Sequence, residues 1–258
     1  MSALTATLLA LFGLLGGIGI SAIGPGGVLP TIGLATLTAL TPAQVAGTAL
    51  VTHVATGCAG TGAYLRSGEL RRPQVRRTAQ LLCGTAVFGT PLGILVNSLM
   101  SPHWFNLALA ALMATVAGLV LMRERVSVAG HPARMTDVRP HPSAWVVGGV
   151  GGAVAVAAGV VGIGGPMLTV PLLVAAGVDM LEALAAAQAQ SVLIAGVGSV
   201  GYALQGSIDW PLAALVGIPE LAGVFLGWRI ARALPVRSLR LGLVAALLVV
   251  APYVALHG

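Results

Sequence analysis

The side chains able to do chemistry are few and sit in apolar surroundings. Glu220 is the one acidic residue deep inside an apolar run. A carboxylate there is expensive as an ion, so function is the default expectation and proton exchange the expected chemistry. A structural hydrogen bond is the other reading. Pro219 precedes it and frees the carbonyl of Leu215. His53 is the second proton candidate, because an imidazole changes charge near neutral pH. It can equally be a hydrogen-bonded core histidine, and the sequence leaves both open. Thr48 and Thr52 flank His53, while Gln188, Gln190 and Ser191 occupy a similar run later in the chain. Hydroxyls, amides and an imidazole can complete the shell of an oxyanion. Thr and Ser in apolar helices also bond carbonyls of their own helix. Asp179, Glu182 and Asp209 sit at segment ends and are expected to be solvated or capping.

A second kind of chemistry lies in the glycines. Residues 23–35 read IGPGGVLPTIGLA and residues 161–173 read VGIGGPMLTVPLL. Each Gly-rich break precedes a short apolar segment. A helix starting there presents unpaired N–H groups and partial positive charge. Gly26, Gly27, Gly164 and Gly165 let a ligand approach that backbone, so two such ends can hold a small oxyanion without a cationic side chain. The alternative is that these glycines only permit close helix crossing. That is the expected role of the GxxxG pairs Gly13/Gly17, Gly89/Gly93, Gly148/Gly152 and Gly223/Gly227. No HExxH, GxSxG, P-loop or Rossmann signature occurs, so neither an enzyme nor an ATP-driven pump is expected. Cys58 and Cys83 form no metal or disulfide pattern, and no cofactor or metal is expected.

Composition sets the class. Of 258 residues, 57% are hydrophobic and 8% charged, against about 25% charged in soluble domains. That excludes an ordinary soluble enzyme and a disordered chain. The net charge of +6 comes entirely from Arg, clustered in short loops between apolar runs. This is positive-inside patterning, and no nucleic-acid partner is expected. The N-terminus lacks a basic region ahead of its first apolar run, so no signal peptide is expected.

Ten apolar segments follow: 2–22, 28–40, 43–65, 78–99 and 104–122, then 144–161, 166–177, 182–204, 211–228 and 239–256. The segments 28–40 and 166–177 are too short to cross. A helix over the latter rises about 18 Å against a hydrocarbon core of about 30 Å. The two halves align at an offset of 138 residues without a gap from Gly24/Gly162 to Pro73/Pro211, including Thr31/Thr169, Gly60/Gly198 and Tyr64/Tyr202. Arg66, Arg71, Arg72, Arg76 and Arg77 make the loop at 66–77 cytoplasmic, whereas its counterpart at 204–211 has no Arg. Arg229, Arg232, Arg237 and Arg240 reverse the pattern for the next pair. The halves are therefore expected to have opposite topology. The expected organisation is a first transmembrane repeat at 1–122, a cytoplasmic linker at 123–143 and a second repeat at 144–258. Both termini would lie outside, and Trp104, Trp145, Trp210 and Trp228 at the interfaces.

The runs GIGGPMLTVPLL (162–173) and YALQGSIDW (202–210), with the weaker copies GPGGVLPTIGL (24–34) and YLRSGEL (64–70), resemble the TauE/SafE sulfite-exporter family of bacterial membrane proteins. The resemblance covers about 10–256. It departs at Gly33, which stands opposite Pro171, and in the following helix. There the family often has Thr-Ser, and this chain has Thr52-His53 and Gln190-Ser191. The resemblance implies transport of sulfite, sulfoacetate, thiosulfate or a related small anion, driven by the proton gradient.

Residues and resemblance together lead to one expectation. The chain is an all-α polytopic protein of the bacterial cytoplasmic membrane, with two inverted repeats of five segments and a Gly-broken half-helix in each. It would export a small sulfur oxyanion by alternating access. Gly26, Gly27, Thr52, His53, Gly164, Gly165, Gln188, Gln190 and Ser191 would bind the anion, and Glu220 or His53 would carry the proton. The partners would be the anion, protons and the bilayer, as a monomer or homodimer. A passive anion channel, an intramembrane enzyme and a subunit of a membrane complex are the competing readings.

Overall fold

The computed structural model describes residues 1–22, 25–128 and 141–233, with 248, 251, 252 and 254 near the end. Gly24, the linker residues 129–140 and most of the expected tenth segment lie outside the described residues. Every regular element described is helical. These are α1 Ala3–Ala22, α2 Val28–Leu37, α3 Pro42–Arg66, α4 Pro73–Ser98, α5 Pro102–Val128, α6 Ala144–Val161, α7 Pro166–Ala175, α8 Met180–Leu204 and α9 Trp210–Ala233. Six of them are long and apolar enough to cross a membrane: α1, α4, α5, α6, α8 and α9. α3 is as long but less apolar, because it carries Gln44, His53 and several threonines. Large apolar side chains such as Phe88 (80% exposed) and Leu95 point outward from the bundle, as a lipid-facing surface requires. The chain is a polytopic all-α membrane protein.

Local chemistry sets the helix starts. Thr41 and Gln44 form a reciprocal capping box ahead of Pro42 at the first position of α3. The Asp179 carboxylate accepts from the N–H groups of Leu181 and Glu182, and Asp209 accepts from Leu212. Both therefore cap as expected. Glu182 corrects its expectation. It is buried, accepts a hydrogen bond from Thr78 Oγ1 at 2.7 Å and lies 2.9 Å from His141 Nε2, because α4 packs on α8 and covers it. Several helices also outrun the apolar segments, α9 among them, which ends at Ala233 instead of 228. α4 begins at Pro73 and takes in Arg76 and Arg77, and α5 continues to Val128, into the stretch assigned to the linker. Hydropathy marks only the part suited to hydrocarbon, whereas backbone hydrogen bonding carries the helix past it.

α2 and α7 have ten residues each, about 15 Å of rise, or half the hydrocarbon thickness. Around them the long helices pair in a repeated pattern. α1 packs on α9 and α6 on α4; α3 packs on α9 and α8 on α4; α3 and α8 pack on each other. With α1/α6, α3/α8 and α4/α9 as sequence counterparts, each contact has its repeat-related partner. α3 and α8 run antiparallel: Gly47 meets Tyr202, Gly57 meets Val192 and Gly60 meets Gln188.

Glycine makes these approaches possible. Gly13 and Gly17 abut the Val216 and Glu220 carbonyls of α9, and Gly223 abuts the Leu14 carbonyl of α1. Gly93 abuts the Val156 carbonyl, and a Cβ on Gly159 would stand 2.6 Å from the Thr90 carbonyl oxygen. Backbone contact of this kind drives association where lipid removes the hydrophobic force between helices. The pair Gly148/Gly152 is looser, and Gly151 makes the closer approach to α4. Gly93→Ala is expected to lower stability by about 1–3 kcal/mol through overpacking. Gly149→Ala, where a Cβ meets nothing within 4 Å, should leave it unchanged. Thermal unfolding of the two variants in detergent compares them.

Candidate functional site

The starts of the two short helices face the middle stretches of α3 and α8. α6 ends at Gly162, whose φ of +77° suits only glycine comfortably. The chain then passes Gly164 and Gly165 into α7, with Pro166 at its first position. Neither Gly27 nor Gly165 needs a glycine for its own dihedrals; what matters is proximity. A Cβ on Gly27 would lie 3.6 Å from His53 Cε1, and one on Gly164 would lie 3.4 Å from Ser191 Oγ. α2 thus starts against His53, and α7 starts against Ser191, its counterpart in the repeat.

One small internal pocket lies between these ends. Gly27, His53, Thr56 and Gly57 line it from the first half, and Gly164, Gln188 and Ser191 from the second. Ile20, Pro166 and Met167 supply an apolar wall. The space open to the centre of a water-sized particle is about 10 Å³, room for a single water.

Beside the pocket stands a buried histidine–carboxylate pair. His53 Nδ1 lies 2.8 Å from Glu220 Oε1, with the side chains 1% and 0% exposed. Glu220 reaches it from α9, on the helix interrupted by Pro219. The opposite edge of the imidazole faces the Gly27 backbone and the pocket, and His53 Nε2 has no hydrogen-bond partner among the described residues. Glu220 Oε2 is likewise unpartnered. Each member of the buried pair is thus left with one free polar atom.

The structure sorts the sequence-expected residues. Gly27, His53, Gly164, Gln188 and Ser191 come together around the pocket. Four others do not line it. Gly26 packs on Gly19 of α1. Thr52 bonds the Ala49 carbonyl of its own helix, and its side chain packs where Gly217 of α9 leaves room. Gly165 lies under Gln190 and Ile194. Gln190 is a brace: its Nε2 donates to the Gly151 carbonyl at 3.0 Å, and its Oε1 accepts from Thr169 at 2.6 Å. Thr56, Gly57, Ile20, Pro166 and Met167 were not among the expected residues. Thr56 had a signal, since it lies three residues after His53 on the same helix face.

A polytopic membrane protein with interrupted helices and a buried ionisable pair beside a small pocket has the architecture of a membrane transporter. The family model for the sulfite exporter TauE/SafE matches residues 9–254, and the chain belongs to that family of membrane transporters. The probable membrane transporter protein YdhB of Bacillus subtilis (strain 168) is 23% identical over 221 residues, covering 85% of this chain and 87% of the relative. No solved structure matches the chain.

The buried pair gives a stability test. His53→Leu strands a buried carboxylate and is expected to cost about 3–5 kcal/mol. The double substitution His53→Leu/Glu220→Leu should recover most of that loss. Denaturation of both purified variants in detergent measures the difference.

Proposed function

We infer that the protein is a secondary transporter of a small sulfur-containing oxyanion such as sulfite, sulfoacetate or thiosulfate, exporting it by alternating access with coupling to the proton gradient. The observation that carries this reading is the convergence of two short-helix N-termini, His53, Gln188 and Ser191 on one buried pocket without a Lys or Arg side chain. Helix N-termini and neutral donors of this kind hold oxyanions. The name of the matched family points to sulfite.

The halves 1–122 and 144–258 would be inverted in the bacterial cytoplasmic membrane, with the linker 123–143 inside and both termini outside. The antiparallel packing of α3 on its counterpart α8 supports that arrangement. So does the clustering of Thr78, His141 and Glu182 beside the Arg-rich loop at 66–77. A pocket of about 10 Å³ must open before an oxyanion can enter, which favours a carrier over a passive channel. Gln190 and Gly165 would act from behind the pocket, by holding α7 against α8.

Flux of sulfite, thiosulfate and sulfoacetate into proteoliposomes, with and without a pH gradient, tests the reading. Accumulation of one of them against its own gradient is expected, and flux that only dissipates would indicate a channel. Gly164→Leu should fill the pocket and weaken anion binding at least tenfold while the protein still folds. Gly164→Ala should retain binding, because its Cβ makes an ordinary contact with Ser191. Calorimetric titration of sulfite in detergent reads both.

A further inference from the structure

We propose that the pocket takes up its anion only together with one proton, held on the His53–Glu220 pair, so that the transported unit is a monovalent oxyanion plus H⁺ with no net charge. This rests on the carrier reading above and adds its stoichiometry and the charge of the substrate. The argument begins with the two ends of the imidazole. One ring nitrogen lies 2.8 Å from Glu220 Oε1; the other makes no hydrogen bond and stands beside the Gly27 backbone, on a residue that lines the pocket.

Without an added proton, the ring N–H donates to the Glu220 carboxylate. The pair then carries one negative charge and offers the pocket a nitrogen lone pair. Both features repel an anion. When one proton arrives from water on the open side, it goes to the pocket-facing nitrogen, as imidazolium against carboxylate. Equivalently, the carboxyl takes the proton and the ring changes tautomer. In either form the pair is neutral and an N–H donor points into the pocket. The proton leaves to water on the other side as the anion leaves, and the pair regains its charge. Among the described residues no third ionisable side chain reaches His53 or lines the pocket. The neutral polar groups facing it are Thr56, Gln188 and Ser191.

Magnitudes select the charge of the anion. Each helix N-terminus is equivalent to roughly +0.5 of a charge, so the starts of α2 and α7 offset about one negative charge between them. The empty site holds that charge on Glu220, and the loaded site holds it on the anion. A dianion would leave a second charge uncompensated in a low-dielectric cavity, so of the three anions named above hydrogensulfite fits this site, and thiosulfate and sulfoacetate, dianions at neutral pH, do not. A permanent monoanion such as methanesulfonate should therefore move at least tenfold faster than sulfate. Net direction follows the product of the two concentrations, so a gradient that is acid outside opposes export by this unit instead of driving it, and export then runs on the anion's own excess in the cytoplasm, about tenfold for each pH unit.

The test uses the purified full chain in proteoliposomes, with methanesulfonate, and with sulfite on the acid side of its second ionisation. Proton and anion fluxes are recorded together, with the membrane potential set by potassium and valinomycin. The expected result is one proton per anion, accumulation driven by a pH gradient, and none driven by potential alone. Flux driven by potential, or without protons, would overturn the coupling and leave the carrier reading standing. Absence of flux for both anions would overturn both. In Glu220→Gln the carboxamide N–H can donate to the ring, so the pocket-facing N–H exists without an added proton. Anion flux should persist in this variant but become potential-driven and insensitive to pH. Retention of proton coupling there would also sink the proposal. If the variant does not fold, the wild-type flux ratio decides alone.

Discussion

A helix interrupted inside hydrocarbon strands carbonyl and N–H groups that lipid cannot satisfy, at a cost of several kcal/mol each. The end of α6 answers this constraint with side chains from three other helices. Tyr202 of α8 donates to the Gly159 carbonyl at 2.7 Å, Asn97 of α4 to Val160 at 2.6 Å, and Thr31 of α2 to Gly162 at 2.9 Å. The Ala158 carbonyl accepts from the chain itself as it turns at Gly162. The break is therefore a junction where α2, α4 and α8 are tied to α6. It fixes the start of α7, and with it one wall of the pocket.

Glycine and brace residues work together at that junction. Gly162 meets the backbone of Ala46, so the turn lies directly on α3. Gln190 joins α8 to both α6 and α7 through Gly151 and Thr169. Because Gln190 ties both α6 and α7 to α8, a shift of α7 relative to α8 has to break buried hydrogen bonds or carry its partners along. Movement of packed helices as units is the kind of transition such a core allows.

The scaffold is close to symmetric, whereas the chemistry is not. His53 stands opposite Ser191 in the repeat, and Glu220 stands opposite Leu82, which packs against Gly151. The contact of α3 with α9 thus carries an ionisable pair where the counterpart helices α8 and α4 have a hydroxyl and an aliphatic side chain. Two helix starts of equal character face a site that holds its titratable groups on one side only.

The chain's class, its helices, the two breaks and the glycine faces of α1, α4 and α9 were legible because they depend on local composition and on spacing at helical period. The 138-residue offset even paired His53 with Ser191, and both line the pocket. The pairing of His53 with Glu220 was not legible. The two lie 167 residues apart, and Leu82, the counterpart of Glu220, gives the repeat nothing to match. Nor could spacing separate Gln188, which lines the pocket, from Gln190, which braces α7, since two residues along a helix turn a side chain to another face. Glu182 looked like a cap until α4 covered it. Sequence determined which segments are helical and where they break, because those follow from backbone and neighbouring side chains. Tertiary structure alone decided which buried polar atoms were left without partners, because that depends on what every other helix brings to the same point.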